Sequence, residues 1–297
     1  MSLCCILAWA PTTVAVVVLA LFLKLLQHLT AKRTKLLKDD WEKDVVYLYQ
    51  FPRARVVPNL SPYCLKLETW LRMAKVKYEF VDLGFGTWSK EGMVPFVELN
   101  GVEYPDSTLA IRDLSRILAK GHVNGQNPLA RAIQVMVETT ILPSTMYFMH
   151  DDHFDEIYTK FGPVMPTWLK TIIMVMKPLI LRSRQGKIAA MGIGRHPKHE
   201  ILKIGCDDLR SLAQILGDKR FMMGDEPTTV DAAVFGCLAI SVYLPVDLEH
   251  VEFMRKKTPN LIDYLDRIKK IYWPDWHQCT VGQQATTEYM KEHKYLS

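Results

Sequence analysis

The order of strand-type and helix-type patterns constrains the fold of this chain more than any other feature. Runs rich in β-branched and aromatic residues are typical of strands, and they occur at 45–51, 78–83 and 94–99. Asn100–Gly101 predicts a hairpin turn, so that a fourth strand pairs back at 102–105. From Asn127 onward apolar residues recur at helical spacing instead. The sequence therefore predicts an α/β domain followed by an all-helical domain.

Two helices complete the predicted first domain. The segment SPYCLKLETWLRMAK has Ser61 as a credible N-cap and Pro62 at the first helical position, with the face of Cys64 and Leu67 predicted to be buried. The segment DSTLAIRDLSRILAK begins with Asp106 or Ser107 as its cap. The order is thus β-α-β followed by β-β-α, and β-α-β units cross over with a right hand.

Over residues 45–121 this order and length predict a thioredoxin-like domain. Pro95 lies where that fold commonly places a cis-proline facing the active site. The alternative interpretation is that Pro95 has no role in a site, because proline is common at the start of a strand and on edge strands.

Residues 127–297 are predicted to form the all-helical domain. Thr228 and Asp231 have the spacing of a capping box. Pro143 and Pro178 are expected to bend their helices. The segment PTWLKTIIMVMKPLILRSRQ is apolar enough to predict a central position in this domain.

The amino-terminal segment predicts a membrane anchor. Leu3 to Leu23 carries no charged side chain, and basic residues such as Lys32 and Arg33 follow it. A helix crosses a bilayer with roughly 20 apolar residues, and basic flanks stay in the cytosol. We predict an uncleaved, single-pass transmembrane signal anchor at 1–29, a basic linker at 30–44 and a cytoplasmic bulk. The alternative is a removed signal peptide, and the choice of membrane, the mitochondrial outer membrane included, stays open.

Charge and cysteine usage narrow the function further. Much of the net charge of +5 lies beside the amino-terminal apolar segment, and no basic stripe with interleaved aromatic residues is visible, so nucleic acid is not an expected partner. None of the four cysteines beyond the first five residues forms a C-x-x-C pair. Histidines and aspartates at 150–153 have the residue types of metal ligands, but their placement predicts no metal site.

The stretch NLSPYC raises the question of a redox site. Thioredoxin-type enzymes carry two cysteines in such a stretch, whereas here Ser61 holds the first position and only Cys64 is present. We therefore interpret Cys64 as a core residue, and the stretch as either a site with changed chemistry or a helix start capped by Ser61.

Several motifs resemble a known family. The stretch G-D-x-P-T-x-x-D-A at 224–232 and the stretch TPNLIDYLDRI resemble the helical domain of glutathione S-transferases. More narrowly, VYLYQFPR, NLSPYCLKLETWLR, VPFVELNG and YPDST resemble the failed axon connections family, whose relatives include nematode cadmium-responsive proteins and, more distantly, metaxins. The resemblance implies the glutathione S-transferase fold, in which homodimers are common.

The resemblance also implies a site. Glutathione would lie along Val94–Pro95, with Val94 backbone groups pairing with its cysteinyl part, and Asp106 and Ser107 would hold its γ-glutamyl end. Ser61 matches the serine that stabilises the thiolate in theta-like and zeta-like transferases. Tyr49 is the second candidate for that role. The alternative interpretation is that Asp106, Ser107 and Ser61 only cap their helices.

Three functions follow from the resemblance. The first is a non-catalytic or weakly catalytic protein of the failed axon connections type, acting with protein partners in axon development or in stress and cadmium responses. The second is an active glutathione-dependent transferase, with Ser61 as the thiolate partner and a small electrophile in the helical domain. The third is a metaxin-like component of mitochondrial import or tethering.

Overall fold

The structure, a computed structural model, describes residues 35–84, 87–118 and 127–280. The predicted membrane anchor lies outside these residues. Within them, no helix combines the length and the apolar character needed to span a bilayer.

The first domain is built on a four-stranded sheet. Its strands are β1 (Val46–Gln50), β2 (Tyr78–Asp82), β3 (Phe96–Leu99) and β4 (Val102–Pro105), in the spatial order β2-β1-β3-β4. β1 and β2 are parallel, whereas the β1–β3 and β3–β4 pairs are antiparallel. The predicted β-α-β and hairpin connections are therefore confirmed, with strand ends one or two residues shorter than expected.

Two helices pack against this sheet. They are α1 (Pro62–Met73) and α2 (Ser107–Ile117), and their N-caps are Ser61 and Asp106, as the sequence predicts. The prediction of one buried face on α1 is too narrow, because all of its residues except Tyr63 are buried. The cause is that α1 lies between the sheet and a helix of the second domain, so both of its faces are covered.

The other face of the sheet is covered by the segment 35–44, which was expected to be a linker. The carboxylate of Glu98 accepts hydrogen bonds from the backbone N–H groups of Leu37 and Lys38 at 2.8 and 3.0 Å. The indole ring of Trp41 lies against Gly101, where an added Cβ would approach it to 3.3 Å. The described residues of the β2–β3 connection contain no helix that could cover this face instead.

The described residues of the second domain form helices and no strand, apart from an isolated bridge between Phe221 and Gly224. Its α-helices are α3 (Pro128–Met136), α4 (Leu142–Glu156), α5 (Thr167–Val175), α6 (Lys177–Ala190), α7 (Lys198–Leu216), α8 (Thr229–Tyr243), α9 (Glu249–Lys257), α10 (Pro259–Tyr272) and α11 (Trp276–Thr280). π-Helical turns follow α3 at Val137–Ile141 and α4 at Ile157–Phe161. The bend predicted at Pro143 thus appears as a π turn that ends two residues before it.

The core of the second domain is α8. It begins with the predicted capping box, in which the Asp231 carboxylate accepts from the backbone N–H of Thr228 at 2.7 Å. Asp231 also accepts from the buried Tyr264 hydroxyl of α10 at 2.8 Å. Gly236 allows α8 to touch α1, since a Cβ there would lie 2.6 Å from the backbone of Pro62 and Lys66.

The prediction that residues 166–185 form a central helix is wrong. The segment divides at Met176 into α5 and α6, two residues before Pro178, and α5 has no buried residue. Apolar content alone does not fix burial: α8 occupies the centre, and α5 lies at the edge of the domain with an apolar side turned to solvent.

Buried ion pairs join the two domains. Arg72 of α1 donates to Asp275 at 2.9 Å and lies 3.9 Å over the ring of Trp273. Lys66 of α1 donates to Glu138 in the helical domain and to Thr108 in α2, both at 2.6 Å. Because removing one partner of a buried pair leaves an uncompensated charge, these contacts strongly favour one arrangement of the two domains.

Candidate functional site

The strand register brings several predicted site residues to one end of the sheet. Tyr49 at the end of β1 pairs with Phe96, and Phe96 pairs with Pro105 at the end of β4. The segments that continue beyond these residues therefore leave the sheet side by side. They are Val94–Pro95 before β3, Asp106–Ser107 after β4 and the loop from β1 to Ser61. The Val94–Pro95 peptide bond is cis, as expected for a proline at this position of the fold.

Asn59 holds Ser61 at this end of the sheet. Its side-chain amide donates to the carbonyl of Phe51 at 2.8 Å, and its side-chain oxygen accepts from the backbone N–H of Ser61 at 2.9 Å. The Ser61 hydroxyl oxygen accepts from the backbone N–H of Cys64 at 3.4 Å, which caps α1. A hydroxyl that accepts one bond still has its own proton to donate, so capping and thiol binding are compatible roles for Ser61.

Cys64 is unsuited to nucleophilic chemistry. Its side chain is buried on α1, and burial is the main cause that raises the pKa of its thiol to about 12. Since the thiolate is the reactive form, Cys64 is inert near neutral pH. This placement agrees with the interpretation of Cys64 as a core residue.

Tyr49 is at the same strand end but on the other face of the sheet. Its hydroxyl donates to Glu98 at 2.9 Å, and its ring stacks on Phe96 with centroids 4.8 Å apart. Leu48, the preceding residue, packs in the cluster that contains α1, whereas Tyr49 belongs to the cluster beneath the segment 35–44. The structure therefore separates Tyr49 from Ser61.

Asp106 has an unusual backbone conformation, with φ of 63° and ψ of 137°. Residues other than glycine rarely adopt this backbone conformation, and those held in it cluster at functional sites. One carboxylate oxygen, Oδ1, accepts from the N–H groups of Thr108 and Leu109 at 2.7 and 3.0 Å. Among the described residues no hydrogen bond uses Oδ2, so this oxygen is available to a cationic group of a ligand. Ser107 beside it is buried.

A cavity of about 620 Å³ opens where Ser61 meets the helical domain. Its walls are mainly apolar and come from both domains. They include Phe51, Ser61 and Tyr63 from the first domain and Met146, Phe154, Ile173 and Ile180 from the second. Val94, Pro95, Asp106 and Ser107 are not part of these walls. The cavity therefore adjoins the sheet-end site through Ser61 rather than coinciding with it.

Arg184 provides a cation in this apolar wall. It donates to the Tyr158 hydroxyl at 2.6 Å and to Nε2 of His150, whose Nδ1 lies 2.7 Å from the carbonyl of Met146. Burial, followed by the charge of Arg184, lowers the pKa of His150 to about 4, so the ring is neutral at pH 7. No carboxylate among the described residues forms an ion pair with Arg184.

The sequence did not identify the Arg184 cluster. His150 was considered only as one of the histidines and aspartates at 150–153 that have the residue types of metal ligands. Its neighbour Arg184 lies 34 residues further along the chain, on a different helix. His153 is bound elsewhere, with Nε2 2.9 Å from the carbonyl of Asp247. Within the described ranges, no group of His, Cys, Asp and Glu side chains is arranged to hold a metal ion.

Two family models match the chain. The glutathione S-transferase N-terminal domain matches residues 62–154, and the glutathione S-transferase C-terminal domain matches residues 205–268. The first match contains most of the sheet-end site, and the second contains the capping box and α8.

Curated relatives include Failed axon connections of Drosophila melanogaster. It is 38% identical over 265 residues, which cover 84% of this chain, and the chain spans 63% of that protein's length. Metaxin-2 of Mus musculus is 21% identical over 245 residues, which cover 80% of this chain and 92% of that protein.

Solved structures support the fold. A glutathione S-transferase of Ceriporiopsis subvermispora, in complex with glutathione, matches with a TM-score of 0.53 and 14% identity. The match covers 76% of this chain and 97% of that one. At this identity the similarity concerns the fold alone.

Proposed function

Since this chain belongs to the failed axon connections family of the glutathione S-transferase superfamily, we propose that it binds glutathione at the sheet-end site and presents the sulfur to the cavity. The observation that carries the proposal is the position of Ser61. Its hydroxyl lies at the amino end of α1, keeps a proton to donate and forms part of the cavity wall.

The physical requirement for such a site is a stabilised thiolate. A free thiol has a pKa of about 8.5, and lowering it by about two units requires roughly 2.7 kcal/mol. A hydrogen bond to a charged acceptor contributes roughly 1.5–3 kcal/mol, and a helix amino terminus adds about 0.3–1 kcal/mol. One serine hydroxyl at the start of α1 is therefore sufficient, and no cysteine of the protein is needed.

The remaining residues fit the two ends of the tripeptide. The backbone of Val94 is available to an extended peptide, because the strand pairing of β3 begins only at Phe96. The Oδ2 atom of Asp106 accepts no hydrogen bond within the described residues, and the strained backbone of this residue supports a functional position. An ammonium group is the natural partner of this oxygen, as the γ-glutamyl end requires.

When bound, glutathione supplies the sulfur nucleophile, and the cavity supplies the place for an electrophile. The walls favour an apolar molecule, whereas Arg184 favours one with an electron-rich or anionic polar group. We propose that such molecules are conjugated or sequestered here, and that a membrane anchor at 1–29 keeps this cytoplasmic domain near its apolar ligands.

A role in cells is part of the proposal. The name of the Drosophila relative connects that protein with axon connections, and we propose a corresponding role for this chain in axon development, with protein partners. Stress and cadmium responses fit a thiol-binding site, because glutathione also binds soft metal ions. The similarity to Metaxin-2 supports the alternative of a tethering protein in the mitochondrial outer membrane.

Glutathione binding is tested by calorimetry on the detergent-solubilised full chain with millimolar glutathione. We expect binding to the wild type and loss of conjugation of an aryl halide or epoxide in the Ser61→Ala variant. Ser61→Asp is the matched control for capping, because aspartate caps a helix as well as serine does but brings a negative charge to the sulfur.

The two variants separate the roles of Ser61. We expect Ser61→Asp to retain the thermal stability of the wild type and to lose thiolate stabilisation. Absence of binding at millimolar glutathione, or full conjugating activity in both variants, would contradict the proposal. In that case the tethering and partner-binding alternatives remain.

A further inference from the structure

Helix α5 presents an apolar side to solvent. None of its residues is buried, although six of the nine in TWLKTIIMV are apolar. The most exposed are Trp168 at 64%, Ile172 at 50% and Val175 at 72%, and Leu179 at the start of α6 follows at 60%. A contiguous apolar patch of this kind on a folded protein marks an interaction surface.

Trp168, Ile172 and Val175 share one side of α5, and Leu179 is exposed at the start of α6. Trp168, Ile172 and Val175 follow the i, i+4, i+7 spacing of a helix face, Leu179 comes four residues later, and the exposed Arg182 comes three after that. The inward residues Ile173 and Ile180 line the cavity instead. The outward apolar side is therefore a feature separate from the cavity. This outer face consists of Trp168, Ile172, Val175 and Leu179.

The chain around the outer face is strongly basic. From Ile157 to His199 there is no aspartate or glutamate, while lysine or arginine stands at 160, 170, 177, 182, 184, 187, 195 and 198. Some of these cations have acidic partners from neighbouring segments, such as Lys177 with Asp155 at 2.7 Å. Lys170 and Arg182 form no ion pair within the part of the chain that the structure describes. Lys187 forms none there either, but it lines the cavity.

We propose that the outer face docks on an anionic membrane surface. An amphipathic helix with tryptophan on its apolar side and lysine or arginine around it lies in the headgroup region, with its apolar side about 5–10 Å deep. The unpaired cations Lys170 and Arg182 complement acidic lipid headgroups, and their long stems allow the charged ends to reach them.

A second copy of the chain fits this surface less well. A symmetric pair places the same patch on both subunits, so the unpaired cations of one copy would face those of the other. Like charges placed opposite each other across an interface are unfavourable. Charge complementarity therefore favours lipid over self-association.

The test uses the full chain reconstituted as a single copy in lipid nanodiscs, either of phosphatidylcholine alone or with added phosphatidylserine. A nitroxide is attached at Ile172→Cys in a background in which Cys4, Cys5 and Cys206 are serine. The matched control is Ile117→Cys on α2, since Ile117 is 48% exposed and Ile172 50%. Collision rates with oxygen and with a water-soluble nickel chelate report the depth of the label.

We expect the label at Ile172 to gain oxygen collisions and lose nickel collisions only in the discs with phosphatidylserine, and the label at Ile117 to be unchanged. The combined variant Lys170→Gln and Arg182→Gln should abolish the shift, as should high salt. All of these positions are exposed or half-buried, so thermal midpoints should equal that of the wild type.

Equal nickel access of the Ile172 label in both disc types would overturn the proposal. Spin–spin coupling in discs that hold two chains, without any shift in single-chain discs, would establish self-association instead and also overturn it. Hydrogen exchange of the unmodified full chain is a second readout: amides of α5 should exchange more slowly in discs with phosphatidylserine, and equal exchange would contradict docking.

Discussion

The hydroxyl of Tyr49 donates a hydrogen bond of 2.9 Å to Glu98, on the sheet face opposite the one that α1 covers. The same carboxylate accepts the backbone N–H groups of Leu37 and Lys38. Tyr49 thus helps to hold the amino-terminal segment on the sheet. The two candidates for the thiol partner, Ser61 and Tyr49, therefore differ in position. Ser61 lines the cavity, and Tyr49 does not.

Replacing Tyr49 by phenylalanine should affect stability and not ligand binding. The buried carboxylate of Glu98 would lose one of its donors, and we expect the free energy of unfolding to fall by about 1–3 kcal/mol. Tyr47→Phe is the matched control. Its hydroxyl accepts from the backbone N–H of Glu42 at 2.9 Å. Because Glu42 is exposed, water can replace the hydroxyl as the partner of this N–H. Urea unfolding measures both changes, and a Tyr49→Phe variant of normal stability that no longer binds glutathione would contradict this assignment.

Acid should destabilise the protein through Glu68. Burial raises the pKa of this carboxyl, but the charge and hydrogen bonds of Arg53, followed by Arg72, outweigh it and lower the pKa to about 2. A depressed folded-state pKa contributes stability above the ordinary value of 4.5, and that contribution is lost as the pH falls from there toward 2. Free energies of unfolding measured across this range should decline.

The Glu68→Gln variant tests the assignment at neutral pH. It leaves two buried guanidinium groups without their shared carboxylate, so we expect a loss of roughly 3–5 kcal/mol. The exposed Glu252→Gln serves as the control and should leave the unfolding curve nearly unchanged. If Glu68→Gln shows the same acid dependence as the wild type, the decline has another origin.

The buried His250 and the half-buried His150 should add a second pH dependence at milder acidity. Burial lowers the pKa of His250 to about 4, and burial together with Arg184 does the same for His150. A histidine kept neutral in the folded state contributes stability above its ordinary pKa of 6.5, and the contribution is lost as the pH falls from 6.5 toward 4. Thermal midpoints should therefore decrease over this interval.

The decrease should be smaller in the His150→Gln and His250→Gln variants, compared with each variant's own midpoint at pH 7. His277→Gln is the control, because His277 is exposed. An identical slope in all three variants would assign the pH dependence to other groups.

The contact between α8 and α1 makes a sharp prediction for Gly236. An added Cβ would lie 2.6 Å from backbone atoms of both Pro62 and Lys66, so Gly236→Ala should force the helices apart. Overpacking of this kind typically costs about 1–3 kcal/mol. Gly186→Ala in α6 is the matched control, since nothing lies within 4 Å of its added Cβ, and it should be neutral or stabilise by up to ~1 kcal/mol. Equal unfolding midpoints for the two variants would contradict the close packing.

Local chemistry made the secondary structure predictable. The caps at Ser61 and Asp106, the hairpin at Asn100–Gly101 and the capping box of Thr228 and Asp231 all depend on residues within a few positions of each other. The parallel pairing of β1 with β2 and the β3–β4 hairpin followed from the β-α-β order and from the turn, whereas the antiparallel pairing of β1 with β3 did not. The family resemblance was likewise confirmed by the relatives.

Placement in three dimensions was harder to predict. The apolar content of residues 166–185 predicted a central position, which α5 does not have. Which helix is central depends on contacts such as that of Gly236 with α1, and no local sequence pattern indicates them. The orientation of Tyr49 changes with a one-residue shift along β1. Arg184 reaches the cavity only because α6 packs beside α4, and this pairing depends on residues 34 positions apart.

The most direct test of the central claim is the ionisation of the bound thiol. The ultraviolet absorbance of thiolate in the full chain saturated with glutathione is followed as a function of pH, for the wild type and for Ser61→Ala. We expect the wild type to show a thiol pKa roughly two units below the free value of ~8.5, and Ser61→Ala to return it close to that value. An unshifted pKa in the wild type, or an equal shift in both proteins, would contradict the assignment of Ser61.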